Sequence, residues 1–413
     1  MMMISGPRFC FHAEALGGTR GHLTLCAFSA TIKELRGSTS LARLLQPHYL
    51  LLKGISRMLY YLGGLLKNCW GPARLLQAYT VLIVLALYTG FFLTRTFLPK
   101  FYAMLPSDRG REFSLTKEAA KGKPTGAGVV FITLFVVLSV LFVPLDRLQV
   151  GTLVLTWAMM LTGFLDDRST GGWGEYRKGL LDLIISVAMA LLLADSLAKA
   201  APDGQLQFWL PFVTHPLSVP AWLYIIITTI MLWMSVNTTN CTDGVDGLSS
   251  SLVLIALITM AVIFYIIFGH VDVSNYLLVP HLWDGASWAV MTFCLAGVLM
   301  GYLWHNAYPS SVLMGDAGSR ALGFYTGVCV MMTGNPFMFL ATSSIIFVNG
   351  GMGLLKVALK RFCHITIFGN IRFPLHDHFR KNHGWSPTQV LVKFMIIQLL
   401  ITVVLLGIFF KIR

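Results

Sequence analysis

Runs of apolar residues, broken by short polar stretches, recur along almost the whole chain. A helix needs about 20 mostly apolar residues to cross a bilayer. About ten stretches approach that length: 75–98, 126–145, 149–165, 180–197, 221–236, 248–268, 287–304, 319–333, 336–359 and 389–411. Some are short, so tilt or partial burial is expected. The pattern predicts an all-α, polytopic integral membrane protein with about ten transmembrane helices.

Basic residues orient these spans. The connections near 99–125, 166–179, 237–247, 305–318 and 360–388 fall on one side. The first holds Lys100, Arg109, Arg111, Lys117, Lys121 and Lys123, and the last holds Lys360, Arg361, Arg372, Arg380 and Lys381. The opposite connections, near 146–148, 198–220, 269–286 and 334–335, offer only Arg147 and Lys199. By the positive-inside rule the first set is cytoplasmic. An even number of spans then puts both termini outside. Arg57, Lys67 and Arg74, just before the first span, run against this, but the first span need not dominate topology.

Composition agrees with the pattern. Of 413 residues, 56% are hydrophobic and 12% charged, with mean hydropathy +0.71. A soluble domain carries about 25% charged residues. The net charge of +13 would raise nucleic acid as a partner in a soluble protein. In short loops between spans it points instead to anionic lipid headgroups and phosphorylated substrates. The seven cysteines form no CxxC pair, which argues against a disulfide framework or a zinc site. Cys294 and Cys329 read as small hydrophobes in helices.

Residues 1–57 differ from the rest, being rich in Ser, Leu, Gly and Arg with only Glu14 and Glu34 acidic. A targeting peptide, an interfacial tail and a true start at Met58 all fit, and the last is preferred. The remainder, 58–413, reads as one membrane domain.

Ionisable residues are costly in an apolar setting, so each is a functional hypothesis. Five polar clusters fall in or beside the basic loops. Gly122-Lys123-Pro124-Thr125-Gly126-Ala127-Gly128 leads into the second span; glycines and a lysine at a helix start suit a phosphate, although P-loop spacing is absent. Asp166-Asp167 ends the third span, where acids disfavour a helix C-terminus, with Arg177 and Lys178 close behind. Paired acids can bind Mg²⁺, or one can act as a base.

The run Asn237-Thr238-Thr239-Asn240-Cys241-Thr242-Asp243-Gly244-Val245-Asp246-Gly247 spaces two amides and two carboxylates three apart. If helical, each pair shares a face, and the set suits a Mg²⁺–nucleotide. Asn306-Ala307-Tyr308-Pro309 precedes Met314-Gly315-Asp316-Ala317-Gly318-Ser319, where Asp316 either caps a helix or meets a metal, capping being the better reading in isolation. Pro374-Leu375-His376-Asp377-His378-Phe379, followed by His383-Gly384-Trp385, suits metal or phosphate contact, or a solvated loop. All five clusters lie on one side of the membrane. A set of purely structural features would scatter over both.

These motifs resemble the polyprenyl-phosphate N-acetylhexosamine-1-phosphate transferases, from about Met58 to the C-terminus. Asp166-Asp167, the Asn237–Gly247 run and Asn306–Gly318 are shared across that superfamily. The Pro374–Trp385 loop is similar to the branch acting on muramoyl-pentapeptide rather than on GlcNAc. The resemblance implies a ten-helix fold with a cytoplasmic-face active-site cleft in the inner membrane, and Mg²⁺ as cofactor. The implied substrates are UDP-MurNAc-pentapeptide and undecaprenyl phosphate, and the products lipid I and UMP. Carried over by position, Asp316 is the Mg²⁺ ligand, Asp166 a base or lipid-phosphate organiser and Asp167 its partner. Asn237, Asn240, Asp243 and Asp246 surround nucleotide and metal, with Asn306 beside them. Thr125 and Lys178 meet phosphates or shape the site, and His376 and His378 hold the diphosphate or sugar. A homodimer is also compatible with the resemblance.

The chain departs from the family pattern at several points. Asp377 replaces the middle of three histidines, with Arg380 nearby to offset it. Gly126-Ala127-Gly128 replaces a Met-Gly-Gly, and Arg320 stands where an apolar residue is common. Two other readings remain at this stage besides the GlcNAc-phosphate branch. A transporter or flippase would need midplane acids and an inverted repeat, and neither is visible. A non-catalytic scaffold is disfavoured by the intact aspartates.

Overall fold

The computed structural model describes residues 58–108, 110, 121–201, 203–213 and 215–411, which form helices with almost no sheet. The extension 1–57 and the loop residues Arg109, Arg111 and Lys117 lie outside the described residues.

Helix α1 (Met58–Leu66) precedes α2 (Tyr79–Phe97), which continues through a tighter turn to Met104. Then follow α3 (Gly128–Phe142), α4 (Arg147–Arg168), α5 (Glu175–Ala200) and α6 (Ala221–Thr242). Between α5 and α6, strands β1 (Leu206–Phe208) and β2 (Leu217–Val219) pair antiparallel, with Leu206 opposite Val219. Helix α7 (Leu248–Val262) runs into a π turn ending at Phe268, and the short α8 (Val271–Tyr276) leads to α9 (Gly285–Asn306). Helix α10 (Gly315–Met332) precedes α11 (Met338–Ile346), which joins α12 (Met352–Phe362) through a π turn, Phe347–Gly351. The chain closes with α13 (Leu375–His383) and α14 (Pro387–Lys411).

Each of the ten apolar runs holds a helix. Among the described residues, eight helical stretches are long and apolar enough to cross a bilayer. The other two runs fall short for different reasons. Helix α3 has only 15 residues. Helix α10 carries Asp316 and Arg320, and every one of its 18 residues is buried. It packs against α3, α4 and α6, so it meets protein on several sides and needs no lipid-facing stripe. Outer helices show the opposite pattern. On α14, Leu400, Val403 and Val404 are all more than half exposed. Such an apolar exterior around a packed interior suits hydrocarbon as solvent, and the fold is that of an all-α polytopic membrane protein.

Local signals explain several helix ends. Asp146 caps α4 by accepting from Gln149 N–H, and Gln149 Oε1 accepts from Asp146 N–H in return. Helix α6 stops at Thr242, just before Gly244. Gly247, at φ 76°, turns the chain into α7. Asp243 and Asp246 therefore lie in a turn between two helices rather than on one helical face. Only Asn237 and Asn240 keep the stacked spacing read from the sequence.

Candidate active site

Helix ends converge to build the site. The C-terminal ends of α4, α6 and α9 meet the N-terminal ends of α3, α5, α7 and α10. Hydrogen bonds tie these ends together. Ala127 N–H donates to Leu313 O (3.1 Å), Leu313 N–H to Pro124 O (2.8 Å), and Gly247 N–H to Asn306 Oδ1 (2.9 Å).

At the centre, Lys178 from α5 bridges carboxylates from two other helices. Its Nζ lies 2.5 Å from Asp166 Oδ2 on α4 and 3.1 Å from Asp316 Oδ2 on α10. The side chains of Asp166 and Asp316 are 5% and 4% exposed, while that of Lys178 is 29% exposed. Lys178 is thus the most exposed member of the cluster. Asp166 Oδ1 also accepts Trp173 N–H at 2.5 Å, which folds the α4–α5 loop over the pair. Arg177 stacks over the Trp173 ring at 3.9 Å.

Asp167 has a different task. Its Oδ1 accepts Asp316 N–H and its Oδ2 accepts Ala317 N–H, each at 3.0 Å. These are orphan donors of the first turn of α10, and a carboxylate suits that helix end. The capping read for Asp316 is therefore supplied by Asp167 from another helix, which leaves the Asp316 carboxylate turned to Lys178. Close backbone approach makes this geometry possible. A Cβ on Gly315, at φ 66°, would collide with Asp167 Oδ2, and one on Gly163 would collide with Asp316 O.

The Asn237–Gly247 run attaches beside this centre. Ser319 Oγ on α10 donates to Asn240 Oδ1 at 3.0 Å. Asn237 Nδ2 donates within its own helix, to Trp233 O at 2.8 Å. Asp246 Oδ2 accepts Ser310 N–H at 3.0 Å and lies 3.7 Å from Lys123 Nζ, which itself donates to Ser310 Oγ at 3.0 Å. Asn306 is buried and acts as a brace, its Nδ2 donating to Val312 O at 2.9 Å. Thr125 lies in the segment beside Lys123, its N–H donating to Pro106 O at 2.8 Å.

The C-terminal loop reaches the site through His376 alone of its two candidate histidines. The His376 ring packs on Gly244, where a Cβ would collide with Nε2. Its Nδ1 lies 3.2 Å from Asn349 Oδ1. Burial holds its pKa down at about 3, and the charge of Arg380 adds to that, so the ring is neutral. His378 is held within its own loop, with Arg372 N–H donating to its Nδ1 at 3.3 Å and Asn382 Nδ2 3.1 Å away. Asp377 faces Arg372 Nη2 at 3.8 Å. Burial raises its pKa, and Arg372 and then Arg380 oppose that rise.

Comparison with known proteins decides the family. Residues 149–334 match the family described as glycosyl transferase family 4. Over 344 residues the chain is 54% identical to the phospho-N-acetylmuramoyl-pentapeptide-transferase of Treponema pallidum (strain Nichols), covering 83% of this chain and 94% of that one. A protein of the same name from Helicobacter pylori (strain ATCC 700392 / 26695) is 30% identical over 350 residues, covering 81% and 95%. The chain belongs to the phospho-N-acetylmuramoyl-pentapeptide-transferase family. That membership bears out the resemblance read from the motifs, including the choice of the muramoyl branch.

For a member of this transferase family, one feature of the site was missed in the sequence. Arg320 Nε donates to Asp182 Oδ1 at 3.0 Å, and its Nη2 contacts the same oxygen. Both residues are 1% exposed. Asp182 lies four residues after Lys178, and Arg320 four after Asp316, so this pair stacks one helical turn beneath the Lys178–Asp316 contact. The signal was available: Asp182 is an acid inside an apolar run, and Arg320 stood out as foreign to its position. Ser310, Ser319 and Asn349 were also missed. They are small polar residues whose role emerges only once distant loops meet.

Proposed function

We propose that the chain transfers phospho-MurNAc-pentapeptide from UDP-MurNAc-pentapeptide to undecaprenyl phosphate, giving lipid I and UMP at the cytoplasmic face of the inner membrane. The observation that carries this reading is the Lys178 bridge between Asp166 and Asp316, three charges from three helices at one end of the bundle. The names of the relatives supply the group transferred, phospho-N-acetylmuramoyl-pentapeptide.

The donor set suits Mg²⁺. That ion takes one or two carboxylates and completes its shell with waters and substrate phosphates, rather than needing a protein cage. Among the described residues no three His, Cys, Asp or Glu groups stand close enough to form such a cage. Asp316, with Asp166 beside it, would hold the ion. When bound, Mg²⁺ supplies charge neutralisation to the diphosphate, which assists departure of UMP.

The chain's own residues do the rest. Lys178, whose side chain is partly open to solvent, offers its ammonium to a phosphate, and in doing so loosens its hold on the two carboxylates. Lys123, 3.7 Å from Asp246, provides a second cation beside the nucleotide-binding turn. Asp167 keeps Asp316 in place by capping α10. The lipid phosphate is largely dianionic near neutral pH, since a second phosphate pKa of about 6 is typical, so Asp166 positions it rather than removing a proton. One phosphoanhydride replaces another, and rate enhancement comes from alignment and charge. An apolar hollow lined by Phe97, Met104, Val130, Leu134 and Phe164 suits an apolar acceptor, and its Phe164 flanks Gly126 together with Asp167 Oδ2. A homodimer belongs to the same reading, and the mass of the protein in nanodiscs tests it.

The deciding experiment measures UMP release by purified protein with undecaprenyl phosphate and Mg²⁺. UDP-MurNAc-pentapeptide and UDP-GlcNAc are supplied in parallel. Release from the muramoyl donor alone, abolished by EDTA, is the expected result. Release from UDP-GlcNAc alone would move the protein to the sister reaction. Release from neither by folded protein would end the transferase reading.

A further inference from the structure

The two histidines of the α13 loop are fixed in opposite tautomers, and a residue outside the sequence motifs fixes one of them. A backbone N–H can only donate. His376 N–H lies 2.9 Å from Asn349 Oδ1, so the amide atom at that place is the acceptor oxygen, and the usual exchange of amide O and N is ruled out there. The same oxygen lies 3.2 Å from His376 Nδ1. Nδ1 therefore carries the proton, and Nε2 of the neutral ring keeps a lone pair. His378 is the reverse. Arg372 N–H donates to its Nδ1 at 3.3 Å, so Nδ1 holds the lone pair and Nε2 the proton.

Asn349 sits in the π turn between α11 and α12 with no exposed surface. Such turns often mark functional sites. The ring it holds is 3% exposed and lies against Gly244, between Asp243 and Asp246. A proton on Nε2 would set a buried donor, or a full cation, against the Gly244 backbone, with Asp377 Oδ1 3.8 Å away. It would also leave no lone pair there for the hydroxyl or N–H group of a ligand. The charged groups near the ring are Asp377 and Arg380 on its own helix, with Arg372 from the preceding loop held to Asp377.

We propose that Asn349 is a positioning residue that locks His376 as the Nδ1–H tautomer, so that Nε2 keeps its lone pair beside the Gly244 turn as an acceptor for the hydroxyl and N–H donors of a nucleotide sugar. The ligand class rests on the transferase reading above; the tautomer does not. Full-length protein carrying nitrogen-15 histidine, in lipid nanodiscs near neutral pH, tests it by NMR. The His376 signal, assigned by its loss in His376→Gln, is expected to show the Nδ1–H pattern, and the His378 signal the Nε2–H pattern.

In Asn349→Leu the His376 signal should leave that tautomer. KM for UDP-MurNAc-pentapeptide should rise about tenfold, as for one lost hydrogen bond, with kcat changed less than about threefold. Asn349→Asp keeps both acceptor contacts but favours the imidazolium. Its kcat/KM should gain an ionisation that depresses the acid limb and is absent from the wild-type profile, an effect a merely structural residue would not produce. An Nε2–H pattern for His376 in the wild type overturns the proposal, whether or not any variant folds. So does Asn349→Leu with unchanged tautomer and KM, or Asn349→Asp with the wild-type pH profile. If wild-type protein releases no UMP from either donor, the transferase reading fails, while the spectra still decide the tautomer.

Discussion

Two charge clusters lie one helical turn apart between α5 and α10, and they differ in a single physical respect. In the upper one, Lys178 bridges Asp166 and Asp316, and its side chain is 29% exposed. In the lower one, Arg320 meets Asp182 with both residues 1% exposed. The charges are of the same kind and the helices are shared. A lysine whose side chain is partly open to solvent can exchange a carboxylate for a phosphate. A sealed guanidinium cannot, and its planar fork suits a fixed partner better than lysine would. Charge inside the bundle thus stands in two settings here, one partly open to solvent and one sealed as a contact that sets the registry of two helices. Arg320 is intelligible only beside Asp182. An arginine alone at that depth would be strongly unfavourable.

The comparison can be broken most sharply at Asp316. Asp316→Asn keeps the shape but removes the charge, and turnover should fall about 10³-fold, the scale of losing one key electrostatic group, with little change in melting temperature. UMP release at wild-type rates would show that the exposed cluster is not the reacting centre. Asp182→Leu should instead act on stability. Leaving Arg320 buried without its partner costs about 3–5 kcal/mol, read as a large drop in melting temperature in nanodiscs. If the protein melts as before but turns over slowly, the lower pair belongs to the chemistry and the division fails.

Lys123→Ala tests a weaker contact at the rim. Its ion pair with Asp246 spans 3.7 Å and is partly exposed, so a loss of about 0.5 kcal/mol, or roughly twofold in donor affinity, is expected. A titration of UDP-MurNAc-pentapeptide binding would detect more than that. The smallest effect on UMP release is expected away from the site, at Asp146. Burial, with the charge of Asp284 adding to it, raises this carboxyl from 3.8 to about 6. The folded state therefore holds the proton more tightly than the unfolded chain, and stability is lost as pH rises from 3.8 through about 6. Asp146→Asn keeps a capping side chain but should flatten that part of the melting profile while leaving UMP release unchanged.

Much of this was legible in the sequence because hydrophobic length is a strong signal. All ten apolar runs became helices, and the basic loops flagged one end of the bundle. Helix α10 escaped the simple criterion because burial on every side removes the need for an apolar stripe. Within the candidate site, the structure brings many of the motif residues together, but the motifs did not give the contacts each one makes. Asp166 and Asp167 are neighbours in sequence, yet one faces Lys178 and the other caps α10. Adjacent helical residues point in directions about 100° apart, so pairing by adjacency misleads. The contact of His376 with the Gly244 turn joins segments more than a hundred residues apart, and its hold by Asn349 reaches back 27 residues to a π turn. No local pattern reports such an encounter.

The most direct test sets the two clusters against each other in one assay. UMP release and thermal melting would be measured for Lys178→Met and for the double variant Asp182→Leu with Arg320→Leu. Replacing a buried ion pair by apolar residues is often neutral for stability. The double variant should therefore melt near the wild type and keep turnover within about threefold. Lys178→Met should stay folded at the assay temperature, though it melts lower because Asp166 and Asp316 lose their counter-charge, and it should lose about 10²-fold or more in turnover. Full activity in Lys178→Met, or an inactive but well-folded double variant, would contradict the assignment of chemistry to the exposed cluster and structure to the buried one.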